Sequence, residues 1–240
     1  MTNISEKTLA TIVTENNHVV PVLEKYDLDY CCKGKRTLSQ ACHEKGVNLE
    51  DIVEELQQYS AVDEKLHLPF TSMNAEQLIS YILIHHHFYV KQSMPAIINH
   101  LEKVAAKHGD HFPYMPKVLK LFSEIQEEMT AHMEKEELVL FPRIKGLEML
   151  FNKNEPASIA DNYIHAPIQA MEAEHDHAGD LLSQIRQLTG NYAVPAEACT
   201  TFKVSLAELN EFEKDLHQHV HLENNLLFPL ANKMLQTLRK

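Results

Sequence analysis

The sequence predicts an all-α protein, an up-down-up-down four-helix bundle preceded by a small helical domain. Three observations carry that prediction. The 240 residues include only six Gly and no Trp, while Leu, Glu, Lys, Gln, Ala and Met dominate, all good helix formers. From Asn74 onward, apolar residues recur at helical spacing in four long segments joined by short connections. One pattern also occurs twice: His, three residues, Glu, four residues, Phe-Pro. Residues 132–142 read HMEKEELVLFP and residues 219–229 read HVHLENNLLFP, 87 residues apart, so the bundle reads as a repeat of helix pairs.

Residues 1–59 read as a small helical domain. Leu9, Ile12 and Val13 mark one short helix; Val19, Val20, Val22, Leu23 and Tyr26 mark a second, opening at Pro21. A polar turn, DLDYCCKGKR, follows, then helices over Thr37–His43 and Leu49–Tyr59. Residues 60–73 (SAVDEKLHLPFTSM) hold a Pro and little periodicity and read as a linker. Residues 74–240 form the bundle. Its first helix opens at Asn74 with Gln77 three residues later, a capping-box pattern, and runs to about Lys107, with Pro95 expected to kink it. The second runs from about Pro116 to Arg143, and the third from Ser158 to Thr189. The fourth runs from Pro195 or Ala196 nearly to the end of the chain. The Phe-Pro tails are expected to close and stop the helices that carry them.

Charge narrows the function. With 34 acidic and 22 basic residues the formal net charge is −12, and no basic run or stripe occurs. Nucleic acid and anionic membrane surfaces are unlikely partners on that footing. No apolar run approaches a membrane span and no signal-peptide core opens the chain, so the expected location is the cytoplasm.

The repeated motif carries the chemistry. A His and a Glu at i and i+4 lie on one helix face. His132 and Glu136 align with Leu121, Ile125, Met129 and Leu140; His219 and Glu223 align with Phe212, Leu216, Leu227 and Leu230. Both pairs therefore face the core, where an unpartnered imidazole or carboxylate is costly and metal coordination offsets the cost. The third helix offers His175 on the stripe of Ile168, Met171, Ala178 and Leu182. The first offers His87, with His86 fitting almost as well. The half-repeat selects His87: it precedes His132 by 45 residues, as His175 precedes His219 by 44. Four His and two Glu then suffice for two metals, each with two imidazoles and bridged by the two carboxylates. Such mixed ligation with open positions suits Fe or Mn better than structural Zn. His217 and His221 fall on the other side of their helix and read as a solvated face. Glu128, one turn before His132, and Glu174, beside His175, are candidates for holding the ligands or carrying protons, and fit ordinary surface carboxylates as well.

Four cysteines are too few and too clustered for a secreted disulfide framework. Cys31 and Cys32 are adjacent beside Lys33 and Lys35, a setting expected to favour the thiolate. A vicinal pair suits partner exchange, soft-metal binding or redox sensing better than a mutual disulfide; two small buried residues at a turn is the plainer alternative.

In combination, YDLDYCCKGKRTL near the N-terminus and HMEKEELVLFP, MEAEHDHAGDLL and HLENNLLFP in the bundle resemble the repair of iron centres family of di-iron iron-sulfur cluster repair proteins. The resemblance implies a hemerythrin-like bundle behind a cysteine-bearing domain. It implies two non-haem irons, oxo-bridged when oxidised, with His87, His132, His175 and His219 as terminal ligands and Glu136 and Glu223 as bridges. It implies damaged iron-sulfur proteins as partners and nitric oxide or O2 as small ligands. Lys33 departs from the small residue expected after the cysteine pair. Three functions then compete: repair of stress-damaged clusters by donating iron, a di-iron nitric oxide reductase, and a hemerythrin-like O2, NO or redox sensor. A cysteine-bearing domain on a linker also suits a homodimer.

Overall fold

The computed structural model describes residues 4–60, 70–154, 159–160 and 162–239, and these are overwhelmingly helical. Among them the one strand-type pairing is an isolated antiparallel bridge between Thr8 and Thr37. Of the expected linker, residues 61–69 lie outside the described residues, and Phe70–Ser72 form a short 3-10 turn.

The N-terminal region forms its short helices near the expected places, closed by caps that the sequence reading did not use. Helix α1 (Leu9–Glu15) opens on Thr8, whose hydroxyl accepts the Thr11 N–H. Helix α2 (Val20–Lys25) has Pro21 in its first turn. Helix α3 (Leu38–Lys45) has a full capping box from Thr37 and Gln40, and stops at Gly46, which takes the left-handed φ of 68°. Helix α4 (Leu49–Ser60) completes the region.

The first bundle helix comprises α5 (Ala75–Tyr81), a π-helical turn (Ile82–His87) and α6 (Phe88–His108). Asn74 and Gln77 form the expected capping box. The buried Glu148 adds a clamp that the sequence did not reveal, accepting the N–H groups of Ala75 and Glu76 at 2.8 and 2.9 Å. The helix continues through Pro95. The second comprises α7 (Met115–Lys135), a π turn (Glu136–Leu140) and α8 (Phe141–Lys153). The third is α9 (His165–Leu188); the expected start at Ser158 lies outside the described residues, and Ile159 and Ala160 are not helical. The fourth comprises α10 (Thr200–Leu222), a π turn (Glu223–Leu227) and α11 (Phe228–Leu238), and starts later than expected because Cys199 is still extended.

The Phe-Pro tails do not end their helices. In both, the π turn widens the spiral first: Phe141 and Phe228 donate to the carbonyls of Glu136 and Glu223, five residues back. Pro142 and Pro229 then fall in the first turn of a restarted α-helix, where a missing N–H is tolerated.

Helix α6 packs on α7 and α10, and α7 on α9. The apolar interior forms two clusters. One joins the N-terminal region to the lower bundle through residues such as Leu23, Tyr30, Met94, Phe122, Ala178 and Phe212; the other fills the far end around Ile82, Phe141, Met171 and Phe228. A polar layer lies between them.

The N-terminal region corrects one expectation. His217 and His221 are not a solvated face, because this region covers that side of α10. His217 Nδ1 meets Glu24 at 2.8 Å, and His221 is buried, with Nε2 at 3.4 Å from Thr14 and the Tyr30 ring beside it. Helical periodicity identifies a second face but not what covers it.

Candidate metal centre

The polar layer contains every core-facing ligand candidate. His87, His132, Glu136, His175, His219 and Glu223 are all buried. They sort into two groups whose ligand atoms lie within 4.8 Å of one another: His87, His219, Glu136 and Glu223, and His132, His175, Glu136 and Glu223. The glutamates belong to both groups, so the two pockets share them. Glu136 Oε2 lies 3.4 Å from His87 Nε2 and 3.3 Å from His132 Nε2. Glu223 divides its oxygens, Oε2 lying 3.1 Å from His175 Nε2 and Oε1 3.1 Å from His219 Nε2.

All three π turns among the described residues fall here. One ends on His87, and the other two begin on Glu136 and Glu223. A π turn shifts the side chains that follow it relative to those before, and such turns concentrate at functional sites. The tails also do more than close a bundle end: the Phe141 ring stacks on His87 at 5.6 Å and the Phe228 ring on His175 at 6.3 Å.

Outside the layer, most ligand rings are held from behind. His87 Nδ1 donates to Glu137 at 2.7 Å, His132 Nδ1 to Glu174 at 2.9 Å, and His175 Nδ1 to the Asn224 side-chain oxygen at 3.0 Å. Each bond places the proton on Nδ1 and turns the Nε2 lone pair inward, as in metal-ligating histidines. Lys91 and Lys135 anchor Glu137 and Glu174 in turn. Glu128 turns elsewhere, to His177 at 3.2 Å on the surface. Glu137 and Asn224, unmarked in the sequence reading, occupy the same place in the two motif copies, directly after the motif glutamate. Aligning the copies one residue further shows that signal.

The residues fit a pair of cations. His87 Nε2, both nitrogens of His219 and all four oxygens of Glu136 and Glu223 are buried without a hydrogen-bond partner, an arrangement that costs several kcal/mol per ionised group unless positive charge answers it. His132 Nε2 and His175 Nε2 lie 3.1 Å apart, close enough to share one proton, or one cation in its place. Two ligand atoms at right angles about 2.1 Å from one ion lie ~3 Å apart, which is the spacing found.

Electrostatics agrees. Burial opposes the ionised forms of both glutamates, yet the surrounding histidines outweigh it and hold Glu223 well below, and Glu136 below, the usual carboxylate range. The layer thus carries two buried anions. Burial depresses His132, but Glu136 and the carboxylates beyond it prevail and raise it to about 10. Burial dominates at His219, which is lowered. Without a metal, a proton on His132 supplies part of the missing positive charge.

The cysteine pair lies in the loop before α3. Cys31 is buried, Cys32 half-buried, and their sulfurs are 3.6 Å apart. The lysines do not make Cys31 a thiolate. Its hydrogen bond to Cys32, its burial and the nearby Asp29 carboxylate push the thiol well above its usual range. Among the described residues no helix is long and apolar enough to cross a membrane.

Comparison with known proteins agrees with this architecture. Residues 78–231 match the Hemerythrin HHE cation binding domain, and residues 5–60 match a family described as Domain of Unknown function (DUF542). The iron-sulfur cluster repair protein YtfE of Escherichia coli O8 (strain IAI1) is 38% identical over 212 residues, covering 88% of this chain and 89% of the relative. Those of Citrobacter koseri and Escherichia coli K12 (DH10B) are 37% identical over the same shares. The chain belongs to the YtfE family of iron-sulfur cluster repair proteins, a hemerythrin-type cation-binding bundle behind a helical N-terminal region.

Proposed function

We propose that this chain is a cytoplasmic di-iron protein that restores iron-sulfur clusters damaged by nitrosative or oxidative stress, by donating iron. The observation that carries the reading is the buried layer of four imidazoles and two shared carboxylates, in which His87 Nε2, His219 Nε2 and all four carboxylate oxygens have no hydrogen-bond partner. In this reading His87 and His219 hold one iron, His132 and His175 the other, and Glu136 and Glu223 bridge them. The relatives' name supplies the repair role.

The iron is cargo here. Bound in the layer, it supplies the positive charge that the two glutamates demand. A donor set of imidazole and carboxylate holds ferrous iron without thiolate, so the thiolates of a depleted cluster site are the softer and stronger competitor. His132 completes the exchange. As its pocket empties, Glu136 and Glu174 draw a proton onto His132 and raise it to about 10, which disfavours rebinding. Glu137 and Glu174 keep their imidazoles oriented throughout.

The alternatives, nitric oxide reduction and O2, NO or redox sensing, use the same pockets, and the relatives' name favours repair over both. The test is transfer from the reduced, iron-loaded protein to an apo-cluster protein, followed by cluster absorbance. Reconstitution faster than with equimolar free ferrous iron is expected. Transfer no better than that control sinks the reading.

A further inference from the structure

The internal repeat assigns a role to His86, a residue that the ligand set leaves out. Across the second and third bundle helices, His132 is backed by Glu174, the residue directly before His175. The equivalent position across the fourth and first helices, beside His219 and directly before His87, is His86. The structure places it there: the His86 and His219 rings lie 5.7 Å apart, centre to centre, and within 6° of parallel. The repeat has put an imidazole where its other half has a carboxylate.

Two buried nitrogens beside this stacked contact have no hydrogen-bond partner, each other included. His86 is only 3% exposed; its Nδ1 meets Asp215 Oδ1 at 3.0 Å and its Nε2 meets nothing. His219 alone of the four ligand imidazoles has no partner on Nδ1. The two atoms are chemically complementary. The Nδ1–H donation to Asp215 leaves His86 Nε2 with a lone pair, and a His219 that gives Nε2 to a cation carries its proton on Nδ1.

We propose that His86 is the positioning residue for His219, turning to accept its Nδ1 proton when a divalent cation takes Nε2, so that Asp215, His86 and His219 form one chain that sets how tightly the His87/His219 pocket holds that cation. No electron moves: one N–H···N hydrogen bond forms, and the cation keeps the ligands already assigned. A neutral imidazole is a weaker acceptor than the carboxylate behind His132. His219 is therefore held less firmly than His132. This rests on the two-pocket reading above.

The experiment is a cobalt(II) titration of the metal-free full-length protein, with the visible spectrum resolved into two binding classes, on wild type, His86→Ala, Asp215→Asn and His86→Glu. His86→Ala and Asp215→Asn should each weaken one class about 10- to 100-fold and leave the other unchanged. His86→Glu restores the acceptor type found behind His132 and should tighten that class. Helical circular dichroism of each variant separates these effects from misfolding, and Asp215→Asn removes no ring from the core. Added imidazole should restore the weakened class in His86→Ala. Both classes weakening together, neither moving, or outright loss of one equivalent (which would make His86 a ligand) overturns the proposal. A wild type that binds no cobalt fails the two-pocket reading itself, a separable result.

Discussion

Two of the clusters that bring metal-type side chains together among the described residues are built in opposite ways. In the His-Glu layer buried polar atoms go unanswered: four carboxylate oxygens and the Nε2 atoms of His87 and His219 have no hydrogen-bond partner. In the Asp29–Cys31–Cys32 loop the ligand atoms are equally close, but one carboxylate oxygen accepts the N–H groups of Cys31, Cys32 and Lys33 at 3.1, 2.9 and 3.2 Å, and the Cys31 thiol besides at 3.3 Å. Proximity of ligand atoms is common to both, while unanswered polarity belongs only to the first. The layer has polar atoms left for cations to answer, whereas the loop is a turn already satisfied by its own N–H and thiol donors.

Metal removal should show the contrast most strongly. A ligand that binds only the folded state, at a thousandfold excess over its dissociation constant, contributes about 4 kcal/mol. For a chain of this size that is a fall in Tm on the order of 10 °C on stripping the metal, read by scanning calorimetry with and without chelator. An unchanged Tm would mean that the layer is content without cations.

Acidity should act next, through proton competition. In the metal-free state His132 titrates at about 10, so below that pH a cation must displace its proton. Apparent affinity should rise with pH, by up to about tenfold per pH unit per displaced proton. Titrations at pH about 6, 7 and 8 check the sign. The same shift has a stability consequence. The folded value lies above the unfolded one of 6.5, so the metal-free protein keeps this contribution below pH 6.5 and loses it as pH climbs toward 10.

Partners behind the ligands should have smaller, graded effects. Glu137→Gln and Glu174→Gln each keep the shape of the contact and remove its charge, and should cost roughly 10- to 100-fold in metal affinity. Equal affinity in both variants would make these carboxylates ordinary surface groups. The smallest effect on metal belongs to the loop. Asp29→Ala should cost about 1 kcal/mol of folding stability, as loss of a helix cap does, with metal content intact. A loss of metal in that variant would tie the two clusters together.

The fold was largely legible in the sequence because the bundle obeys local rules. Asn74 and Gln77 and the periodic apolar stripes each act within a few residues, and each lies where its spacing places it. His132, Glu136, His175, His219 and Glu223 were legible because a buried polar residue on an apolar stripe stands out. His87 over His86 required the repeat. What stayed hidden depends on tertiary contact or helix register. The π turns carry no composition signal, so Pro142 and Pro229 read as stops. Glu148 reaches α5 from the distant α8. His217 and His221 lost their solvent only because α1, α2 and the Tyr30 loop pack over them. Cys31 is governed by its hydrogen bond to Cys32, by burial and by Asp29, not by the adjacent lysines.

The most direct measurement is iron content with the absorption spectrum, on protein prepared without oxygen, for wild type, Glu136→Ala/Glu223→Ala and Cys31→Ser/Cys32→Ser. The account predicts one iron for each of the two pockets in wild type and in the cysteine variant, with the spectrum of a coupled pair on oxidation, and neither metal nor spectrum in the glutamate variant. Iron retained by the glutamate variant, or lost from the cysteine variant alone, would contradict it.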